Sequence, residues 1–187
     1  GGGCRASNYI AFLRKALLEA VYPQVPVVSI NFSKMEPNPG FKFTVKFAVR
    51  IMMAVLFGDL LMNVLLRTRP YEVKKGSANE LYTSWVKKCS GIIQRGKKSE
   101  FKNTIRQIVA DFEALPITDV KKPKVGIVGE ILVKYHPVAN NFAAETIEAE
   151  GGECVMPGLM DFGLYGFYNT QFSHSHLGAP SLLAFGG

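Results

Sequence analysis

"KPKVGIVGEILVKYHPVANNFAAETIEAEGGECVMPG", residues 122–158, is the stretch on which the fold reading turns. Its opening "KPKVGIVGEI" is a short apolar run with small residues and predicts a strand. "NNFAAETIEAEGG" predicts a helix closed by glycine, and "ECVMPG" a second short strand. Strand, helix and strand in that order make a βαβ unit, whose two strands lie parallel and whose connection crosses over right-handed.

Upstream, an amphipathic helix is expected from Ser7 or Asn8 to about Val21, with Ile10, Leu13, Leu17 and Leu18 on one face. "VPVVSINFS" follows as a buried strand ending near Asn31, then "MEPNPG" as a loop. Helix and strand here are the back half of a second βαβ unit, whose first strand is expected upstream of Gly1. Between these parts lies a helical block, about residues 42–115. Its first helix is "FTVKFAVRIMMAVLFGDLLMNVLLRTRP", ended by Arg69-Pro70. The second, "KKGSANELYTSWVKKCSGIIQRG", carries a capping box from Ser77 to Glu80, and the third runs from Ser99 to just before Pro116. The expected architecture is therefore α/β: a parallel sheet with βαβ units and an inserted helical block, in one domain spanning 1–187.

Composition narrows the function classes. A hydrophobic fraction of 48% argues for a globular chain and against disorder. With no initiator Met and no signal peptide, the chain reads as an excised piece of a longer protein. Cys4, Cys89 and Cys154 form an odd, widely spaced set, which fits a reducing compartment and hence a cytoplasmic protein. The net charge of +7 comes largely from separated pairs (Lys74-Lys75, Lys87-Lys88, Lys97-Lys98, Lys121-Lys122), which read as solvated surface and not as the continuous basic face that nucleic acid requires. Lys46, Arg50 and Asp59 interrupt the long apolar segment, so it reads as a helix largely buried in protein and not as a membrane span.

In open parallel sheets ligands bind beyond the carboxyl ends of the strands. That rule selects four loops, "GGGCRASN", "NFSKMEPNPG", "GEILVKYHPVANN" and "PGLMDFG". Their polar residues include Cys4, Arg5, Ser7, Asn8, Asn31, Ser33, Glu130, Lys134, His136, Asn140, Asn141 and Asp161. A cysteine at a glycine-rich helix start beside Arg5 has a lowered pKa and is available as a metal ligand; the competing reading is a plain glycine turn beside an incidental thiol. Glu130, Lys134, His136, Asn140 and Asn141 are candidates for a carboxylate or phosphate, with His136 alternatively capping the turn before Pro137. Cys89 and Cys154 read as small core residues. His174 and His176 have the spacing of a metal pair, in a segment expected to fray. No Walker loop, Ser-His-Asp set or dinucleotide fingerprint is present.

The stretches "GGGCRASNYIAFLRKAL", "VPVVSINFS", "GDLLMNVLLRTRPYE" and "PKVGIVGEILVKYHPVANNFAAETIEAEGGECVMPGLMDF" resemble CoA-substrate-specific enzyme activase-related proteins, in the region similar to 2-hydroxyacyl-CoA (2-hydroxyglutaryl-CoA) dehydratase subunits. The resemblance runs from Gly1 to about Asn169 and is most specific over 124–161. It implies Rossmann-like subdomains and a role in anaerobic metabolism, where an activator ATPase delivers an electron to an iron-sulfur dehydratase. It further implies that Cys4 ligates a [4Fe-4S] cluster, with Arg5, Ser7 and Asn8 around it, and that acyl-CoA is a ligand. The implied partners are the activator ATPase, a dehydratase subunit, or other domains of the same chain. The chain departs from this pattern in carrying no ATPase motif and no close set of further cysteines, so a cluster needs ligands from elsewhere or from Cys89 and Cys154. A non-catalytic domain that docks the ATPase or dehydratase is the alternative from another class.

Overall fold

The computed structural model describes residues 8–27 and 44–178. The chain forms two compact units, Gly1–Thr44 and Val45–Gly187. In the first unit, α1 (Tyr9–Glu19) follows Asn8 at the cap position, where the Asn8 side chain makes no capping bond. Lys15 and Glu19, one turn apart, form an exposed pair at 3.7 Å. Of the expected strand "VPVVSINFS", Val25 to Val27 are described and are not in a strand; the rest lies outside the described residues.

The second unit is built on α2 (Val45–Thr68), α3 (Ser77–Arg95) and α4 (Lys98–Glu113). The apolar positions of α2 recur at one-turn spacing, so Met53, Phe57 and Leu61 share a face and are buried. Phe57 and Leu61 join Ala78, Trp85, Cys89, Ile92, Ile108 and Phe112 in one core. Phe57 tilts against Phe101 with ring centroids 4.7 Å apart, and Trp85 satisfies its indole N–H by donating to Asp111 at 3.1 Å. The burial of α2 is less complete than its apolar sequence suggests: four of its residues are buried and most others half-buried. By length and composition alone, Val45–Tyr71 is long and apolar enough to cross a membrane. Three of its charges have partners inside the fold, however: Arg50 donates to the Gln94 carbonyl at 2.6 Å, Asp59 holds a helix end and Arg69 pairs with Glu148, both described below.

Beyond α4 come β1 (Lys124–Gly126), α5 (Ile131–Tyr135), α6 (Ala143–Ala149), β2 (Glu153–Val155) and α7 (Leu159–Leu177). The two strands pair in parallel, Lys124 with Glu153, Val125 with Cys154 and Gly126 with Val155. A smaller core of Leu66, Cys154 and Met156, flanked by Met62, Ile127, Tyr135, Ala144 and Ile147, seats this pair on α2.

The expected α/β class is overturned. The structure is mostly helical, and among the described residues the one sheet has two strands of three residues each, so there is no Rossmann-like parallel sheet. The local reason is that "KVG" ends at Gly126, and Gly129 at φ +140° turns the chain directly into α5. The expected capping box of α3 also fails: Gly76, at φ +94°, occupies the cap position, and the Glu72 carboxylate reaches back to take the N–H groups of Gly76 and Ala78 at 2.7 and 2.8 Å.

Candidate binding surface and cleft

The parallel pair has a carboxyl end, an amino end and, in β1, an exposed strand. At its carboxyl end, where sequence placed the ligand loop, the polar groups are engaged within the fold. Lys134 is only 9% exposed; its ammonium lies 3.4 Å from the Pro157 carbonyl and 4.4 Å above the Tyr135 ring. Tyr135 donates to the same carbonyl at 2.6 Å. Glu130 caps α5 by accepting from Val133 N–H at 3.0 Å. His136 Nδ1 accepts from Ala139 N–H at 3.3 Å, the turn-capping alternative. Asn140 donates to the Lys134 carbonyl at 2.9 Å and accepts from Ala143 N–H at 3.1 Å, while Asn141 stands in the left-handed region at φ +56°.

Asp161, also selected from sequence, accepts from Gly158 N–H at 2.9 Å at the start of α7. The stronger capping there comes from Asp59, whose two carboxylate oxygens take the N–H groups of Leu159 and Met160, each at 2.8 Å. A β-carbon on Gly158 would stand 2.7 Å from Asp59 Oδ2, so the approach of helix end to carboxylate requires glycine.

At the amino end a cleft of about 480 Å³ opens between the last turn of α2, the 3-10 turn Arg69–Tyr71, and residues 117–124. Its walls are tied together. Thr118 N–H donates to the Tyr71 carbonyl at 2.8 Å, and Val73 N–H to Pro116 at 3.0 Å, closing an antiparallel bridge between Glu72 and Ile117. Tyr71 donates its phenol to Glu153 at 2.7 Å; this bond, then burial, pushes the phenol pKa up. Glu153, 5% exposed, is also met by Lys124 at 3.6 Å. Behind the cleft Arg69 grips Glu148 with two parallel bonds of 2.7 and 2.9 Å. Burial pulls the Arg69 pKa down, and Glu148, with Glu145 and Cys154 beside it, more than offsets this and raises it.

Cys4, Arg5, Ser7, Asn31 and Ser33 lie outside the described residues, and Asn8 belongs to the first unit. Among the described residues no three His, Cys, Asp or Glu side chains gather into a metal site. Cys89 and Cys154 sit in different apolar clusters, as core residues, and burial pushes the Cys89 thiol up to about 11 and raises that of Cys154. Lying in separate apolar clusters, the two thiols do not come together as joint ligands of a [4Fe-4S] cluster. His174 and His176 belong to α7, which stays helical to Leu177 where fraying was expected; two positions apart on a helix they do not face each other, and His176 stacks on Phe172 at 4.3 Å.

The cleft was hidden in the sequence because its residues come from three places, 67–71, 117–124 and 153. The one local signal was the basic run Lys121-Lys122-Pro123-Lys124. Compared with protein-family models, curated proteins and solved structures, the chain matches none.

Proposed function

We infer that the chain is a non-catalytic docking domain whose parallel strand pair is completed by a partner, the activator ATPase or dehydratase subunit of a 2-hydroxyacyl-CoA dehydratase system. The observation that carries this reading is the open side of the pair. Parallel strands are ordinarily covered on both faces and flanked by further strands, and a two-stranded sheet by itself is marginal. Here all three residues of β1 are exposed, with Val125 at 41%, and Val128 just beyond it at 83%. Phe162, Tyr165, Tyr168 and Phe172 of α7 add exposed aromatic surface of the kind enriched at interfaces. The partner's identity rests on the sequence resemblance.

The test is sedimentation of the full chain with each partner, native and as Val128→Lys. A complex weakened at least tenfold by the substitution, with melting temperature unchanged, supports docking. Equal affinity in both forms, or no complex with either partner, contradicts it. An electron-transfer role through a [4Fe-4S] cluster at Cys4 is the competing proposal, motivated by the opening "GGGCRASN". It requires iron and acid-labile sulfide after anaerobic reconstitution, lost in Cys4→Ala.

A further inference from the structure

The cleft at the amino end of the strand pair carries an inference independent of docking. Arg67, Lys121, Lys122 and Lys124 stand around it, against the carboxylate of Glu153 alone. That carboxylate is already engaged by the Tyr71 phenol and by Lys124. Arg67, Lys121 and Lys122 have no ion-pair partner among the described residues. Two other arginines of this unit are matched to carboxylates, Arg69 to Glu148 and Arg95 to Glu100 at 2.8 Å, whereas Arg50 donates to a carbonyl. Three uncompensated cations converging on one concavity therefore form a local positive field, which low-dielectric walls focus.

Part of the lining is apolar. Ile117 and Val120, on the same segment as Lys121 and Lys122, line the cleft and are 59% and 57% exposed, which leaves aliphatic surface beside the basic groups. The volume of about 480 Å³ lies within the range of small-molecule sites. The backbone that carries these groups is tied to the 3-10 turn, since the Thr118 N–H and hydroxyl both donate to the Tyr71 carbonyl, at 2.8 and 3.2 Å.

The geometry points to a binding site for a phosphate ester of nucleotide size, its phosphates taken by Arg67, Lys121 and Lys122 and its organic body laid on Ile117 and Val120. Arginine supplies two parallel donors to a phosphate, and the lysines act as point charges beside it. Glu153, held by Tyr71 and Lys124, forms the floor and contacts no phosphate.

Isothermal titration of the full chain with ADP, pyrophosphate and adenosine, at matched ionic strength, tests the assignment. ADP should bind more tightly than pyrophosphate, and adenosine should not bind measurably. Arg67→Met and the double variant Lys121→Met, Lys122→Met should each weaken ADP about tenfold or more, the size of one charge-assisted hydrogen bond. Lys74→Met with Lys75→Met, a basic pair outside the cleft, should leave it unchanged. The assignment is overturned if ADP does not bind, if adenosine binds as well as ADP, or if the cleft variants bind ADP as the native chain does. Melting temperatures of all variants within a degree or so of native, as expected for exposed side chains, keep a binding loss distinct from unfolding.

Discussion

The three-helix half and the strand half of the second unit are held together in different ways. In α2, α3 and α4 one apolar core of eight buried residues closes around Phe57, Trp85, Ile108 and Phe112. In the strand half three buried residues do the same task, and polar links take a larger part: Arg69 to Glu148, Tyr71 to Glu153, and Asp59 to the start of α7. The first arrangement rests on apolar burial, which is roughly proportional to area and non-directional. The second fixes positions while leaving apolar surface uncovered, the surface on which the proposed docking rests.

Substitutions that remove one device at a time separate the two halves. The largest effect is expected from Phe57→Ala, which empties a fully enclosed position in the helical core and should cost about 3–5 kcal/mol in denaturant unfolding. Arg69→Met should come next, at about 3 kcal/mol, because it strands the Glu148 carboxylate in a mostly buried site. Its damage should concentrate in the strand half, read as faster amide exchange around β2 than around α4. A loss spread evenly over both halves would mean that they are not separately held. Asp59→Ala removes the N-terminal cap of α7 and should cost about 1 kcal/mol.

The smallest expected effect is a pH dependence. Burial raises the Glu72 pKa, but the N–H groups of Ala78 and Gly76, the Ser77 hydroxyl and Arg69 together hold it below the usual carboxylate range. A depressed folded-state pKa contributes stability that is present above the unfolded value, near 4.3 for a model glutamate, and is lost as pH falls through the folded one. Glu72→Gln should therefore flatten the acid side of a melting-temperature profile and leave its slope near neutrality unchanged.

The helical half was legible in the sequence, since one-turn apolar spacing in 45–113 reports directly on which faces are buried. So were β1 and β2, through short apolar runs bounded by glycine and proline. The sheet's extent was not legible, because three-residue strands carry too little pattern to distinguish a full parallel sheet from an isolated pair. Helix α7 escaped for another reason: Gly163, Gly166 and Asn169 are poor helix formers, and the cap that starts it lies 100 residues away at Asp59. The candidate residues Glu130, Lys134, His136 and Asn140 do lie between β1 and α6, but the expected loop holds the short helix α5, and how tightly the fold engages them depends on Pro157, Val133, Ala139 and Ala143.

If the strand half is open and a partner completes it, its backbone should report both facts. The deciding experiment is amide hydrogen exchange of the full chain, alone and with the activator ATPase or dehydratase subunit. Alone, amides of 124–127 and 153–156 should exchange much faster than those of 53–61 and 104–112, and the partner should slow the strand amides selectively. Strand amides as protected as the helical core in the isolated chain, and unchanged by either partner, would contradict the docking reading.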